Sequence, residues 1–478
     1  MTEREDEPAS RSAWLLALAA AGAAALPFWA GAVVPTQDGG AHLWNAWLVR
    51  HLGDPALAAG PYFELNLLAP NWGGVGPLAL LLCLAPPVVA EKLLFSAIAF
   101  AIVAGAALLS RRLGGDPVLA AAAGVFLAHG WLTAMGFTGF QLATGLGWLA
   151  CAWAAPALDG ERKTGRDRLV AARLSAAFAV LFVLHLAAAL AAAGLWAVLL
   201  ASRVGRAPWR RLVAPAAPLA FLAALWLAHA LATRGIEPPT YRPDDRGALG
   251  RLAELPAGTY WEAYSPADRP LGAALVVLVC GLVIARASRA ERPEAGRAAS
   301  AGLAAAPLVL AAYLVVPFAA GGGAFLTDRL VPLLLLLPLP WATSAGLPWR
   351  RALRAAALVL AAAALAQRAA QYRVIGRVVE AVVAANHDVP PGAFLAQPPS
   401  PGLPLARVDP FLHAWGRVAV ERGAVPLDDY EAALAGWFPI RYSAAGRALA
   451  DAWATRGALP PGAAVLRYEP VDPAEAGR

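Results

Sequence analysis

Long apolar stretches, separated by short polar segments, follow one another along the chain up to about residue 367. The first, Trp14 to Val34, has no charged residue and as a helix would be about 31 Å long, about one hydrocarbon thickness of a bilayer. Further apolar runs cover residues 76–90, 93–110, 117–135, 139–157, 174–200, 212–232, 271–285, 301–318, 330–346 and 353–366. The pattern predicts an all-α polytopic membrane protein with about eleven transmembrane helices.

The pattern changes after residue 367, where polar and apolar residues alternate with the spacing of soluble helices and strands. We expect helices over 367–385, 409–422, 428–435 and 444–455, and short strands over 393–397, 438–442 and 464–468. The chain then divides into a cytoplasmic tail over 1–12, a transmembrane module over 13–367 and a small mixed α/β domain over 368–478.

Arginine-rich segments set the predicted orientation, because cytoplasmic loops of membrane proteins are enriched in Lys and Arg. The segments 203–211, 286–297 and 349–354 are therefore expected in the cytoplasm. Simple alternation of spans satisfies all three but places the basic loop 161–173 outside. A slightly favoured alternative makes 76–90 a partial insertion, since Pro86-Pro87 breaks it, and divides 174–200 into two short crossings. In both schemes the loops 35–75, 234–269 and 319–329 and the C-terminal domain face the outer side.

Composition agrees with this class of protein. Hydrophobic residues make up 59% of the chain and charged residues 15%, and the net charge is +7. The cations are nearly all arginines beside apolar runs, so the positive charge does not imply binding to nucleic acid. Three cysteines lie in apolar runs without metal-ligand spacing. Abundant Ala, Arg, Gly and Pro with few lysines indicates a GC-rich bacterial genome, so we expect a multi-pass protein of the bacterial inner membrane.

The most informative polar segment follows the first apolar run directly. Asp38 lies at the expected boundary between lipid and water. In a helix, Asp38, His42 and Asn45 would share one face, while Leu43, Trp44, Trp47 and Leu48 would cover the other face. This predicts an interfacial helix with Asp38 as a catalytic group and His42 and Asn45 as substrate-binding groups. The alternatives are that Asp38 only caps the helix, and that His42 and Asn45 are ordinary interfacial polar residues.

Other candidates lie in the later outer loops. Arg329, beside Asp328, is the first choice for binding a phosphate, because its planar guanidinium matches phosphate oxygens. Asp328 and Arg329 are both counted as substrate-binding candidates, with a simple boundary ion pair between them as the alternative. Weaker cationic candidates are Arg242, Arg246 and Arg269. A second acid is expected among Glu237, Asp244, Asp245, Glu254, Glu262 and Asp268.

The arrangement around Asp38 resembles the GT-C superfamily of membrane glycosyltransferases, which use polyprenyl-phosphate sugars. The resemblance rests on a first span followed by an extracytoplasmic Asp, an interfacial helix, the return Ala69-Pro70-Asn71-Trp72, many spans and a C-terminal extracytoplasmic domain. It covers most of the chain as architecture but only about 40 residues as a motif. It implies that Asp38 is a base or a metal ligand, so a divalent cation is one expected cofactor. Gly39 follows Asp38 where a second acid is common, so a paired-carboxylate centre is not implied here.

The chemistry fits this resemblance. Transfer from a lipid phosphate needs a base for the acceptor hydroxyl and a cation for the departing phosphate. We therefore expect a sugar to pass from a polyprenyl-phosphate donor to an extracytoplasmic glycan, lipid or protein. The alternatives are a transporter or flippase of lipid-linked or small polar substrates, and a structural or assembly protein. Transporters usually place charges near the bilayer midplane, whereas the charges here cluster in outer loops.

Overall fold

The fold was analysed in a computed structural model of the full chain. The structure describes residues 6–159, 164–204, 209–234, 241–288, 297–320, 323–344, 349–403, 406–434 and 436–468. Parts of the predicted tail 1–12, of the basic segments and of the loops 234–269 and 319–329 therefore lie outside the described residues. Within the described ranges the chain is mostly helical, as the apolar pattern predicts.

The first half of the chain is almost entirely helical and contributes a single short strand in its described part. The helices are α1 Asp6–Ala23, α2 Gly39–His51, α3 Trp72–Leu81, α4 Pro87–Arg112, α5 Pro117–His129, α6 Trp131–Met135, α7 Thr138–Ala154, α8 Thr164–Leu184, α9 Leu186–Ala201 and α10 Trp209–Ala232, and the strand is β1 Phe63–Leu65.

The rest of the membrane module alternates long helices with short connecting elements. These are β2 Tyr241–Arg242, α11 Gly247–Glu254, α12 Arg269–Ala287, α13 Arg297–Val315, β3 Ala319–Ala320, β4 Gly323–Ala324, α14 Val331–Leu336, α15 Leu339–Ala342 and α16 Arg350–Ala384.

The C-terminal part is mixed α/β, close to the predicted element order. It contains β5 Phe394–Ala396, α17 Trp415–Arg422, β6 Val425–Pro426, α18 Tyr430–Ala433, β7 Ile440–Tyr442, α19 Ala444–Arg456 and β8 Ala464–Val465. Strand β5 pairs in parallel with β6 on one side and β8 on the other. The predicted domain boundary at 367/368 falls inside α16, which continues from the membrane module into this part without a break.

Six helical segments among the described residues are long and apolar enough to cross a membrane. They are Arg11–Trp29, Pro87–Arg112, Pro117–Met135, Leu212–Ala232, Pro266–Ala287 and Arg350–Ala384. The protein is thus a helical membrane protein, but the predicted number of eleven spans is not confirmed. Several predicted runs are shorter or broken; the run 330–346, for example, forms α14 and α15 with prolines at their starts.

The segment 72–92 does not cross the bundle. Asn71, just before α3, lines the same cavity as Asp38. Arg50 Nη1, at the end of α2, donates to Leu82 O at 2.5 Å, and Glu91 in the first turns of α4 pairs with Arg417 of α17 at 2.8 Å. Both ends of this segment therefore lie near the end of the bundle that carries Asp38, as expected for a partial insertion broken at Pro86-Pro87.

Helix α4 then runs about 39 Å to Arg111 and Arg112 at the opposite end. There Asp116 pairs with Arg354 at 2.8 Å. Helix α7 begins beside the cavity, because Thr138 lines it. The run 174–200 is broken at His185, where the backbone is extended (φ −168°). This break coincides with the point at which the alternative topology divides the run 174–200.

The outer loops and the C-terminal part meet at the Asp38 end. Strand β1 pairs antiparallel with β7, with Phe63 opposite Tyr442, and β2, β3 and β4 form a second small sheet. Backbone N–H groups of Arg407 and Val408 donate to Ala263 O. These pairings bring the loops 35–75, 234–269 and 319–329 into one layer with the C-terminal part.

Helix α2 does not lie at an interface as predicted. Trp44 and Leu48, expected to face lipid, are fully buried. The reason is backbone contact with the C-terminal part: a Cβ on Gly40 would lie 2.0 Å from His413 O, and a Cβ on Gly416 would lie 2.0 Å from Gly40 O. Only glycine fits at these two positions, so α2 packs tightly under the C-terminal part.

Candidate functional site

Asp38 directly precedes α2 and is almost completely buried. Its backbone N–H donates to Met135 O at 3.0 Å. This close approach depends on Gly136, which has φ +91° and leaves no room for a side chain against Asp38. The Asp38 carboxylate makes no capping hydrogen bond to α2. The capping alternative is therefore not realised, and the carboxylate faces a cavity.

His42 and Asn45 share a face of α2 with Asp38, as the helical spacing predicts, but both are bound to a carboxylate of the C-terminal part. His42 Nδ1 lies 2.5 Å from Glu431 Oε1, and its Nε2 lies 2.8 Å from Gly136 O. Asn45 Nδ2 donates to Glu431 Oε2 at 2.7 Å and to Asp429 Oδ1 at 3.3 Å. His42 lines the cavity, whereas Asn45 is fully buried and lies outside its lining.

The C-terminal part contributes two further cavity-lining groups, Tyr430 and His413. The Tyr430 hydroxyl donates to Glu431 Oε1 at 3.2 Å and lies within hydrogen-bonding reach of Asp38. The His413 ring stacks on the Tyr430 ring, with centroids 4.6 Å apart, and its Nε2 lies 3.5 Å from Asp38 Oδ1. The available sequence signals were the clusters Asp409-Pro410-Phe411-Leu412-His413 and Asp428-Asp429-Tyr430-Glu431.

Burial dominates the electrostatics of this site. Burial raises the pKa of Asp38 to about 7, although His42 lowers it in part, while Glu431 raises it further. Burial opposes the charge of His42, but the charge of Glu431 and the hydrogen bond to it outweigh this effect and raise the pKa of His42 to about 9. Burial and the charge of His42 lower the pKa of His413 to about 3, so His413 is neutral. Near pH 7, Asp38 is thus poised between its acid and base forms.

Arg329 lines the same cavity as these groups. Its Nη1 lies 2.8 Å from His185 Nε2, and its guanidinium stacks within 4.8 Å of the Phe137 ring centroid and 5.2 Å of the Phe140 centroid. Its buried Nε has no hydrogen-bond partner in the described part of the chain. Burial lowers the pKa of Arg329 to about 10, which leaves it charged at neutral pH.

Asp328 does not form the expected ion pair with its neighbour. Its Oδ1 lies 3.3 Å from Arg407 Nη2, and its Oδ2 lies 3.4 Å from Arg246 Nη2. Asp328 and Arg329 point to different cavities because they are adjacent in a 3-10 turn, Asp328–Leu330. The alternative of an Asp328–Arg329 pair is therefore not realised: Arg329 lines the cavity of Asp38, and Asp328 is held by two other arginines.

The cavity shared by Asp38 and Arg329 has a volume of about 600 Å³. Apart from these polar groups, most of its lining is apolar. Leu190 of α9 and Trp226 of α10 line it and are about half exposed, at 48% and 47%. These helices are apolar, so this wall of the cavity reaches the face that would contact lipid.

A second cavity of about 630 Å³ is lined mainly by charged residues. The two cavities lie side by side, because both are lined by Gln37, Met135 and Phe325. The weaker candidates in loop 234–269 line this second cavity, and their charges are paired. Arg246 pairs with Asp244, Glu254 and Asp328. Arg269 pairs with Glu262, and Arg242 pairs with Asp245. Asp268 is buried elsewhere against Arg368, and Glu237 lies outside the described residues. None of the acids in the described part of this loop lines the cavity of Asp38.

The residues around Asp38 do not form the set of ligands that a divalent cation needs. No group of three or more His, Cys, Asp or Glu side chains in the described ranges could hold a metal ion. Both ring nitrogens of His42 are engaged by protein acceptors, so Asp38 lacks a second available ligand from α2. The expected metal role of Asp38 does not fit this geometry.

Comparison with protein families, curated proteins and solved structures finds no match to this chain. The fold and the site therefore define its class by themselves. It is a helical membrane protein in which a C-terminal mixed α/β part covers a buried carboxylate at one end of the helical bundle.

Proposed function

We propose that the protein is a GT-C-like membrane glycosyltransferase that transfers a sugar from a polyprenyl-phosphate donor to an extracytoplasmic acceptor. One observation carries this proposal: Asp38 and Arg329 line the same cavity, and the apolar wall of that cavity reaches exposed side chains of apolar helices. A substrate with a lipid chain and a phosphate matches both the apolar wall and the single guanidinium.

Asp38 acts as the general base in this proposal. The acceptor hydroxyl loses its proton to an Asp38 oxygen while the acceptor oxygen bonds to the anomeric carbon of the sugar. The bond between that carbon and the phosphate oxygen breaks, and its electron pair stays on the phosphate. A base with a pKa near the working pH is the effective choice for such a step.

Arg329 binds the donor phosphate and neutralises the charge that develops on it. His185 supports this role because an arginine N–H can only donate, so the imidazole Nε2 accepts and fixes the guanidinium orientation. The Phe137 and Phe140 rings hold the same group from another side.

The second cavity is the proposed entry for the acceptor. Its arginines are paired with carboxylates, so it offers many hydrogen bonds without a strong preference for anions. Gln37 joins it to the cavity of Asp38. These properties suit a neutral, hydroxyl-rich acceptor such as a glycan.

The test uses the full-length protein in liposomes with a panel of synthetic polyprenyl-phosphate sugars. Mass spectrometry follows the release of polyprenyl phosphate, the product common to all such donors. We expect release by the wild type and at least a hundredfold less by Asp38→Asn. A flippase would instead move the intact sugar lipid between leaflets without cleaving it, and that outcome would replace the proposal with the transport alternative.

A further inference from the structure

The two ring nitrogens of His42 both face acceptors. Gly136 O, 2.8 Å from Nε2, is a carbonyl and can only accept a hydrogen bond. Glu431 Oε1, 2.5 Å from Nδ1, belongs to a carboxylate. An imidazole carries an N–H on both nitrogens only when it is protonated. The geometry therefore fits an imidazolium between a carbonyl and a carboxylate.

Glu431 is built into this position. Its side chain is completely buried, and it receives hydrogen bonds from Asn45 at 2.7 Å and from the Tyr430 hydroxyl at 3.2 Å. A buried carboxylate is costly without a cation and hydrogen-bond donors. Removing any of these partners would leave the charge of Glu431 uncompensated, which explains why α2 and α18 contact each other through these side chains.

The imidazolium lies one helical turn from Asp38, because the His42 backbone N–H donates to Asp38 O. The other charged or titratable groups facing this point are Asp429 and Tyr430 of α18, His413 of the segment before α17, and Arg329. Arg329 lines the same cavity from a separate segment, Asp328–Leu330, and His413 is neutral. His42 is the cation that lies one turn from Asp38 on α2 itself.

We propose that Glu431 is a positioning residue of this site: it holds His42 as an imidazolium, and this cation keeps the Asp38 carboxylate in its ionised form. The C-terminal part then completes the catalytic centre besides covering it. The role assigned to Asp38 rests on the proposed function, but the state of His42 can be measured without any substrate.

The effect of Glu431→Gln has a defined direction. The glutamine carbonyl still accepts from Asn45, and its amide donates to the Nδ1 of a neutral imidazole, so the local fold can be kept. His42 then loses its charge at a lower pH than in the wild type. The charge of His42 lowers the pKa of Asp38 more than the charge of Glu431 raises it. Losing both charges should therefore raise the pKa of Asp38 further.

The experiment compares wild type, Glu431→Gln and the control Asp428→Asn by ¹⁵N NMR of imidazole groups and ¹³C NMR of carboxyl groups, in full-length protein in nanodiscs. Asp428 lies in the same segment but accepts from Gln397 N and Trp453 Nε1 instead of His42. We expect His42 to stay protonated up to about pH 9 in wild type and in the control. In Glu431→Gln the pKa of His42 should be roughly one to two units lower than in the wild type, and the pKa of Asp38 should be higher.

The activity readout is the pH at which polyprenyl phosphate release rises, which should move upward in Glu431→Gln only. The inference would be overturned if the pKa of His42 were the same in Glu431→Gln as in the wild type. It would also be overturned if His42 lost its charge in the variant while the pKa of Asp38 stayed the same. If wild type releases no polyprenyl phosphate from any donor, the proposed function fails. The two NMR titrations then still decide whether Glu431 controls His42 and Asp38.

Discussion

Arg329 Nη1 lies 2.8 Å from His185 Nε2, and this contact joins an outer loop to the middle of an apolar run. An ionisable residue inside an apolar segment is costly unless it has a partner. His185 meets that requirement at the break between α8 and α9, where its backbone is extended. The pair explains both why the run is interrupted and how the guanidinium is held at the cavity wall.

The proposed role of Arg329 in binding the donor phosphate can be tested by substitution. Arg329→Ala should nearly abolish donor binding, and Arg329→Lys should weaken it, because lysine keeps the charge but loses the planar fork. Binding can be measured by microscale thermophoresis with a fluorescent polyprenyl-phosphate sugar. Arg242→Ala, which removes an exposed arginine of the second cavity, is the matched control. Equal loss in both variants would indicate a general charge effect and would remove Arg329 from the donor site.

Asp38→Asn should lower transfer by about two orders of magnitude or more, the scale of lost general-base catalysis, while the protein inserts and folds normally. Normal folding is expected because the Asp38 side chain does not cap α2. Asp54→Asn is the control in the same loop, since Asp54 is exposed and its side chain accepts only from the nearby Ala56 N–H among its described contacts. Full activity of Asp38→Asn would show that this carboxylate is not the base.

The pH dependence of transfer should be bell-shaped. Asp38 must be ionised to accept a proton, so the rate should rise with pH through about 7, the pKa to which burial raises this group. The rate should fall again near pH 9 as His42 loses its proton. The His42 pKa is raised above 6.5, so its stabilising contribution is complete below pH 6.5 and is lost as pH rises through about 9.

Two measurements check this behaviour. Initial rates from pH 5 to 10 give the two limbs, and limited proteolysis over the same range reports whether the C-terminal part loosens above pH 9. The two apparent pKa values belong to the coupled site, so both should move in Glu431→Gln. A rate that is flat between pH 5 and 8 would contradict the assignment of Asp38 as the base.

The close backbone contact between α2 and α17 predicts a strong effect of added side chains. Gly40→Val should clash with His413 O, reduce stability by about 1–3 kcal/mol or more and displace the C-terminal part. Thermal unfolding followed by intrinsic tryptophan fluorescence measures this change. Gly53→Ala is the control, because nothing lies within 4 Å of a Cβ at that glycine. Similar unfolding temperatures for the two variants would show that the contact is not tight.

Orientation can be tested with single cysteines in a background without the native ones. Asp54 and Arg456 are exposed near the Asp38 end, and Arg111 is exposed at the other end of α4. If the Asp38 end is extracytoplasmic, Asp54→Cys and Arg456→Cys should react with an impermeant maleimide on intact cells. Arg111→Cys should react only after permeabilisation. The reverse pattern would place the site in the cytoplasm and exclude an extracytoplasmic acceptor.

The sequence by itself determined the helical membrane class, most elements of the C-terminal part and the shared face of Asp38, His42 and Asn45, because these depend on local periodicity. The breaks at Pro86-Pro87 and His185 were also visible, since proline and a polar residue interrupt apolar helices locally. Only the tertiary structure showed that α2 is buried, because that depends on Gly40 meeting a helix near residue 416. The contacts of His42 with Glu431, of Arg329 with His185 and of Asp328 with Arg407 were also visible only in the tertiary structure. Such pairs depend on how distant segments pack, and every arginine or carboxylate in the outer loops satisfied the same sequence pattern equally well.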